Sequence, residues 1–341
     1  MAIKSSGNPL AFSEIETEFG SNSSRSLGDY RISQTVGSLT KTLDTGIPSS
    51  GTIKFSEFYS KRLNVVVNFH TGGTENRQNA KSRYNGNGVT VIGGFRGKKE
   101  AGSKILIHVN KIIGSSKGNQ SIVALRTGNW NSDVVLSVDI GSSGRLYGAG
   151  GDGGRGANSW SDAGSSNGSS GGNGTSALGI EHEETAVNVQ SGGRIKCGFG
   201  GGGGGAGSRQ VDSGADRSAC GGGGGGGAGS PAGSGGSGGE RQSGENDEVA
   251  NGSGGGGGQL EENGEGGQGG NNNNEAYGAN GGRGGDANES AQGGNGGSNL
   301  DSSNGGAGSN GAAIRRSSGS IQIDISNGGS ISGSTSATGV A

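Results

Sequence analysis

The chain has 341 residues, 85 of them glycine and only 3 proline, and its formal net charge is −2. Hydrophobic residues make up 26% and aromatic residues 4%, which is too little apolar side chain to pack the whole chain around one conventional core. Two cysteines exclude a disulfide scaffold, no apolar run near 18 residues marks a membrane span, and the scarcity of proline excludes collagen.

Composition changes along the chain. Residues 1–130 carry 17 Lys and Arg against 8 Asp and Glu, and the remainder carries 10 against 21. Only 17 of the 85 glycines lie in residues 1–140. The basic part has no aromatic–basic RNA signature, so we expect a solvated surface or a dock for an acidic partner, and no nucleic-acid binding.

Residues 1–61 contain two related words, FSEI from Phe12 and FSEF from Phe55. Ser13 and Glu16 have the spacing of a capping box, so each word predicts a short helix. The segment is too small and polar for a large core, and it is either a docking segment or a plain small subdomain. The absence of a signal peptide predicts cytoplasmic synthesis. Docking would use the apolar residues Phe12, Ile15, Phe19, Phe55 and Phe58.

Residues 62–147 are the most conventional part of the sequence. Short alternating segments separated by Gly, Asn and Ser predict an antiparallel β-domain, such as a β-sandwich. The predicted strands are 63–69, 89–92, 104–109, 121–126 and 134–140.

Residues 148–311 are dominated by glycine runs. Ordering glycine backbone costs about 1–2 kcal/mol per residue, and no side-chain burial offsets it here. The tract is therefore either a flexible linker or a lattice of extended threefold polyglycine II helices that hydrogen-bond to each other. In the lattice, the pure runs 200–205 and 221–227 would be the inner helices.

A threefold repeat favours the ordered alternative. Words at 138–146, 187–195 and 323–331 share one spacing of two short alternating pieces around a Gly/Ser turn. Each predicts a β-hairpin, and the three bracket the glycine runs, which a random linker would not require. We therefore predict a mainly β chain with a polyglycine II helix sandwich at 148–311 and a closing β-hairpin at 312–341.

Non-glycine insertions interrupt the runs at 157–169, 208–219, 240–250, 259–265 and 271–277. If the runs are parallel rods, these insertions are loops at their ends, where binding residues tend to lie. The conspicuous aromatics could instead be incidental or pack on the rods. The candidate binding residues are Trp160, Asn158, Arg209, Asp212, Arg241, Glu245, Asn272 and Tyr277.

No catalytic constellation is present in the sequence. A GxGxxG match at 148–153 is followed by more glycine and serine, which cannot form the helix that a nucleotide site needs. The cluster Glu181-His-Glu-Glu184 is typical of a solvated turn, and His70, His108 and His182 are isolated in sequence. We expect no enzyme activity, no cofactor and no metal site. Cys197 and Cys220 each precede a glycine run and would occupy equivalent positions as small apolar groups, with a disulfide left open.

The runs at 200–205, 221–227 and 254–258, the flanking words GRLYGAGG and GRIKCGFGG, and the closing GSIQIDISNGGSISG resemble the glycine-rich adhesins at the tail-fibre tips of T-even-like phages. The words LAFSEIETEFG and IKFSEFYSKR resemble the start of tail proteins of marine and cyanobacterial phages. The β-domain at 62–140 has no counterpart in those adhesins, so fibre tip and tail tip both stay open.

This resemblance implies a virion tail protein. Its N-terminus would dock to other tail or baseplate proteins, and its loops would bind a bacterial surface glycan or outer-membrane protein. Many copies, for example as a homotrimer, would add avidity. The alternative is a purely architectural tail or baseplate component that does not contact the receptor.

Overall fold

The computed structural model describes residues 3–21, 26–31, 46–48, 50–70, 73–86, 88–92, 96–160, 164–210, 217–240, 249–272, 276–298, 300 and 302–341. Helix accounts for 8% and strand for 27%, which confirms the mainly β class. None of the helices in these ranges is long and apolar enough to cross a membrane.

The helices are short. They are α1 (Phe12–Phe19), α2 (Ala80–Asn85) and two 3-10 turns, Leu27–Tyr30 and Phe55–Phe58. The predicted capping box is wrong by two residues, because Glu14, not Glu16, reaches back and accepts a hydrogen bond from the backbone N–H of Ala11 at 2.8 Å.

The strands are short as well. In chain order they are β1 (Asn64–Phe69), β2 (Glu75–Asn76), β3 (Gln78–Asn79), β4 (Val89–Ile92), β5 (Lys104–Val109), β6 (Ile112–Gly114), β7 (Val123–Arg126), β8 (Val135–Ile140), β9 (Arg145–Tyr147), β10 (Ser159–Trp160), β11 (Gly164–Ser165), β12 (Ser176–Ile180), β13 (Thr185–Val189), β14 (Arg194–Lys196), β15 (Ser208–Gln210), β16 (Arg217–Ala219), β17 (Val249–Ala250), β18 (Asn271–Asn272), β19 (Ala276–Tyr277), β20 (Ile314–Arg316), β21 (Ile323–Asn327), β22 (Ser330–Ser332) and β23 (Ala337–Thr338).

The chain winds repeatedly through three sheets in the manner of a β-helix. The first sheet has the order β21-β13-β8-β5-β1-β4, the second β2-β6-β9-β14-β22 and the third β23-β20-β12-β7-β3. Each coil contributes one strand to each sheet, and equivalent strands of successive coils pair in parallel. Only β4 on β1 is antiparallel in these three sheets.

The predicted antiparallel pairing of 62–147 holds only for β4 on β1, and the predicted hairpins are wrong. Gly/Ser turns that resemble hairpin turns instead carry the chain from one sheet to the next, so the two strands of each predicted hairpin do not pair with each other. The same holds for 312–341, where β20, β21, β22 and β23 lie in successive sheets. Alternation with period two reports a half-buried strand but says nothing about its partner.

The three repeated words lie at equivalent positions in successive coils, where the chain turns from the first sheet into the second. Val138 pairs with Val187, and Val187 pairs with Ile325. The sequence comparison set Ile323 opposite Val187, which is wrong by two residues, a slip that keeps the same face of the strand. At the corner, a Cβ on Gly144 would lie 2.2 Å from the Val109 carbonyl, so only glycine fits.

The N-terminal segment packs on this coil. Ile15, Phe19 and Phe58 are fully buried in one apolar cluster with the sheet residues. The buried carboxylate of Glu18 accepts a hydrogen bond from the Leu63 N–H at 2.9 Å. Ile15 and Phe19 of α1, together with Phe58, thus join this segment to the first sheet.

The glycine runs are inserted where two coils pass from the second sheet to the third. One insertion joins β9 to β12, and the other joins β14 to β20. Their backbone hydrogen bonds define ten runs that alternate in direction. The runs are 148–157, 166–175, 197–207, 220–229, 233–239, 251–258, 264–270, 278–285, 292–295 and 304–311.

Hydrogen bonds between the runs repeat every third residue. The Gly201 N–H donates to the Gly172 carbonyl at 2.9 Å. Three residues later Gly204 donates to the same neighbouring run at 2.9 Å, whereas Gly202 donates to a different run, 220–229, at 2.8 Å. Successive residues thus point their donors in three directions.

The two pure-glycine runs are interior, as predicted. Residues 200–205 and 221–227 are buried, and each run hydrogen-bonds to six neighbouring runs. A Cβ on Gly224 would lie 2.0 Å from the carbonyl oxygen of Gly202, which is backbone and cannot swing aside. Main-chain contact at this distance leaves room for hydrogen only.

We expect Gly224→Ala to lower the free energy of unfolding by about 3 kcal/mol, because its methyl group forces two runs apart. The matched control is Gly257→Ala, where the nearest atom to a Cβ is 3.6 Å away. That variant should be neutral or more stable by about 0.5 kcal/mol, since it restricts the unfolded chain. Urea denaturation of both variants tests this, and equal stabilities would contradict it.

Candidate binding face

The alternation of the ten runs divides their connections between two ends. Runs begin at the sheets, so the connections after the first, third, fifth, seventh and ninth runs lie at the end away from the sheets, here called the far end. Four predicted loops lie there, namely 157–169, 208–219, 240–250 and 271–277. A fifth, 296–303, was not predicted, although Leu300 between two glycine words was its signal.

The bases of the far-end loops contact each other. The Ser159 hydroxyl lies 3.4 Å from the carbonyl oxygens of both Ser208 and Ala219. The Gly207 N–H donates to the Ser302 hydroxyl at 2.9 Å. In addition, β16 pairs with both β15 and β17, and the Ser298 N–H donates to the Tyr277 carbonyl at 3.1 Å. The described bases of the five insertions are therefore joined into one surface, here called the far face.

Asn158 lies beneath the far face and hydrogen-bonds to two of its loop bases. It is only 8% exposed, and its side-chain oxygen accepts hydrogen bonds from the Arg155 guanidinium at 2.7 Å and the Glu240 N–H at 2.9 Å. Its backbone N–H donates to the Ser166 hydroxyl at 2.9 Å. This predicted binding residue thus joins two loop bases and presents little surface to a ligand.

The other predicted residues lie at the far end where they are described. Arg209 is half-buried in β15, Tyr277 is half-buried in β19, and the backbones of Trp160 and Asn272 pair with Gly164 and Ala276. Asp212, Arg241 and Glu245 lie outside the described residues.

The predicted loop at 259–265 lies at the opposite end, beside the sheets. The Glu261 carboxylate accepts a hydrogen bond from the Tyr147 hydroxyl at 2.7 Å and pairs with Arg194. Burial raises the pKa of Glu261, but the bonds from Tyr147 and Arg194 outweigh it and lower that pKa to about 2. Burial and the same carboxylate raise the pKa of Tyr147 to about 12. This loop anchors the bundle to the second sheet.

The two cysteines are free and buried. The prediction that they occupy equivalent positions is wrong. Cys197 begins a run that leaves the sheets, whereas Cys220 begins a run that returns to them. Cys197 packs with Phe199 and Ala228 at the near end, and burial raises the pKa of its thiol to about 12. Both behave as small apolar groups.

Three of the five predicted docking residues, Ile15, Phe19 and Phe58, are part of the core. Phe12 and Phe55 remain at the rim, with ring centroids 6.0 Å apart and Phe55 40% exposed. Any docking through these words therefore uses this rim pair.

Two histidines that are isolated in sequence meet on the first sheet. The rings of His70 and His108 lie 4.5 Å apart, and His108 Nδ1 bonds the Asp139 carboxylate at 2.7 Å. Burial raises the pKa of Asp139, but hydrogen bonds from His108, Asn188 and Gln190 outweigh it and lower that pKa. Burial, with His108 and Arg83, lowers the pKa of His70 to about 4. Among the described residues no group of three or more His, Cys, Asp or Glu could hold a metal ion.

Comparison with protein-family models, curated proteins and solved structures gives no match.

Glu261→Gln should destabilise the protein by about 1 kcal/mol at pH 7, a value reduced for the partial exposure of the pair. The pKa of Glu261 is lower in the folded chain than its ordinary value of 4.5, so its contribution to stability is present above pH 4.5 and lost as the pH falls toward 2. The gap from the parent should close over that range. Glu262→Gln, an exposed neighbour, is the control, and an equal loss there would refute the anchor.

The His70 shift predicts a second pH dependence. The pKa of His70 is lower in the folded chain than its ordinary value of 6.5, so its contribution to stability is complete above that pH and declines as the pH falls toward 4. Between pH 7 and pH 5 the parent should lose about 1 kcal/mol more stability than His70→Gln, after allowance for partial exposure. Thermal melts at both pH values test this, and parallel losses would contradict it.

Proposed function

We propose that this chain is a phage tail-fibre or tail-tip protein that binds the bacterial host surface through its far face. The observation that carries the proposal is that five loops, distant in sequence, meet at one end of a bundle whose other end is fixed to the sheets. A rigid scaffold that presents many loops on one surface is the usual arrangement of a binding module.

We also infer that the ten runs are polyglycine II helices. Support comes from donors that rotate through three directions in successive residues, which is the symmetry of an extended threefold helix. Ten such rods packed side by side would hold the loops without a side-chain core. A run of nine residues would extend about 28 Å, enough to separate the far face from the coil.

The N-terminal segment lies on the coil, so it would dock to tail or baseplate proteins while the far face points away. Multiple copies, as in a homotrimer, would convert weak single contacts into firm adhesion. The receptor would be a surface glycan or an outer-membrane protein, and the site needs neither enzyme activity nor a cofactor.

Adsorption of the labelled full chain to a panel of Gram-negative bacteria tests the proposal. We expect binding to at least one strain, and Trp160→Ala with Arg209→Ala should weaken it about tenfold by removing far-face contacts. Asn288→Ala, in an exposed turn at the near end, is the matched control and should bind as the parent does.

Two outcomes would favour the architectural alternative instead. One is that no strain adsorbs the chain. The other is that antibodies against the far-end loops label virions and leave infection intact.

A further inference from the structure

A regular grid of polar side chains covers one flank of the glycine bundle. On the runs 264–270, 278–285 and 292–295, the residues with polar side chains recur every third position, and all of them are exposed or half-exposed. Two depressions of about 480 and 530 Å³ lie over these runs. Gln268 and Asn280 line both depressions, which are here together called the flank groove.

The three runs are aligned so that the side chains form rows across the groove. The Asn280 N–H donates to the Asn295 carbonyl at 2.7 Å, and the Asn295 N–H returns the bond at 2.9 Å. The adjacent run is held in register by the Gly281 N–H to the Gly267 carbonyl, also at 2.9 Å. The rows are Glu265–Arg283–Gln292, Gln268–Asn280–Asn295 and Asn271–Tyr277–Ser298.

The spacing of the rows is fixed by the backbone. Three residues of an extended threefold helix rise about 9 Å, which is close to the length of two pyranose rings in an extended chain. Because no Cβ can be added to the buried glycines of these runs without backbone contact, the floor of the groove cannot readjust. Its binding positions therefore recur at a fixed interval.

The groups that line the groove suit hydroxyl-rich ligands. The Asn280 side-chain oxygen accepts a hydrogen bond from the Gly269 N–H at 2.9 Å, which leaves its amide nitrogen as a donor. Arg283 pairs with Glu289 through one nitrogen, and its buried Nε has no partner among the described residues. The half-buried ring of Tyr277 at the far end can stack on a sugar.

Charge argues for a neutral ligand. Arg283 lies in the same row as Glu265 and is paired with Glu289, so these three side chains together carry one negative charge and do not attract a polyanion. In the central row, Gln268 and Asn280 line both depressions and Asn295 lines one, and all three side chains are uncharged amides.

We propose that the flank groove binds an extended, uncharged linear glycan lying along the runs, with one disaccharide unit per row. The proposal rests on the proposed function, since it names a glycan of the host surface as a ligand. It places that ligand along the side of the bundle, with the last row, Asn271–Tyr277–Ser298, at the edge of the far face.

Calorimetric titration of the full chain with cellohexaose and chitohexaose tests this, because both are extended β-linked hexamers. Maltohexaose, which coils, is the comparison ligand. At least one extended hexamer should bind with a Kd below about 1 mM, and its disaccharide should bind at least about tenfold more weakly because it covers a single row. Maltohexaose should not compete.

Two variants and one control assign the site. Asn280→Asp keeps the acceptor for Gly269 but removes the amide donor, and Gln268→Ala removes an exposed amide from the same row. Each should weaken hexamer binding about fivefold to tenfold. Asn288→Asp, in the near-end turn, should leave it unchanged.

Failure of both extended hexamers to bind, or binding that the two row variants do not alter, overturns the groove. If the hexamers do not bind while adsorption to cells still depends on Trp160 and Arg209, the proposed function is supported and the glycan site in the flank groove is rejected. If hexamers bind in a row-dependent way while cells do not adsorb the chain, the groove stands and the proposed function falls.

Discussion

Main-chain hydrogen bonds between glycine runs are the interaction on which this structure depends. Each bond contributes only about 1 kcal/mol net, and ordering a glycine costs somewhat more. The balance can close only if nearly every amide is used, which is what two interior runs with six neighbours achieve. It also requires that no side chain intervenes, since a single methyl group at Gly224 would meet backbone at 2.0 Å. Glycine is therefore the packing material of this part of the protein.

The three-sheet β-helix fixes the register of the glycine runs, which the bundle cannot fix by itself. Identical runs can slide past one another by three residues without changing their contacts, so the lattice alone does not define a register. Runs that enter from β9 and β14 and return to β12 and β20 start from strands whose pairing is fixed by apolar burial. The anchor of Glu261 on Tyr147 and Arg194 adds a further fixed point. The apolar core of the three sheets thus sets the alignment of the glycine bundle, which has no apolar core.

Much of this arrangement can be predicted from local sequence. The rest depends on which strands and runs pair with each other, which local sequence does not determine. The strands at 89–92 and 104–109, the helix from Phe12 and the interior position of 221–227 were predictable because burial and glycine content are local properties. Parallel pairing was not, since alternation in β8 is the same whether its partner is β9 or β13. The end of the bundle at which a loop lies depends on every preceding reversal of the chain, which is why the sequence did not separate 259–265 from the four loops at the far end.

The three-residue period of the glycine runs separates the residues that fold the bundle from the residues that can recognise a ligand. In an outer run two positions of every three face other runs and are restricted to glycine or other small residues, whereas the third faces solvent and tolerates any side chain. Gln268, Asn280 and Asn295 occupy such positions, and replacing them leaves the inter-run bonds of their backbones in place. At the far end, Asn158 and Ser159 join their own loop base to Glu240 and Ser208, so these two side chains also serve the scaffold. Because the free positions recur at a fixed rise, a ligand with a matching repeat gains one row of contacts for each unit added, and this arithmetic favours a polymer over a small molecule.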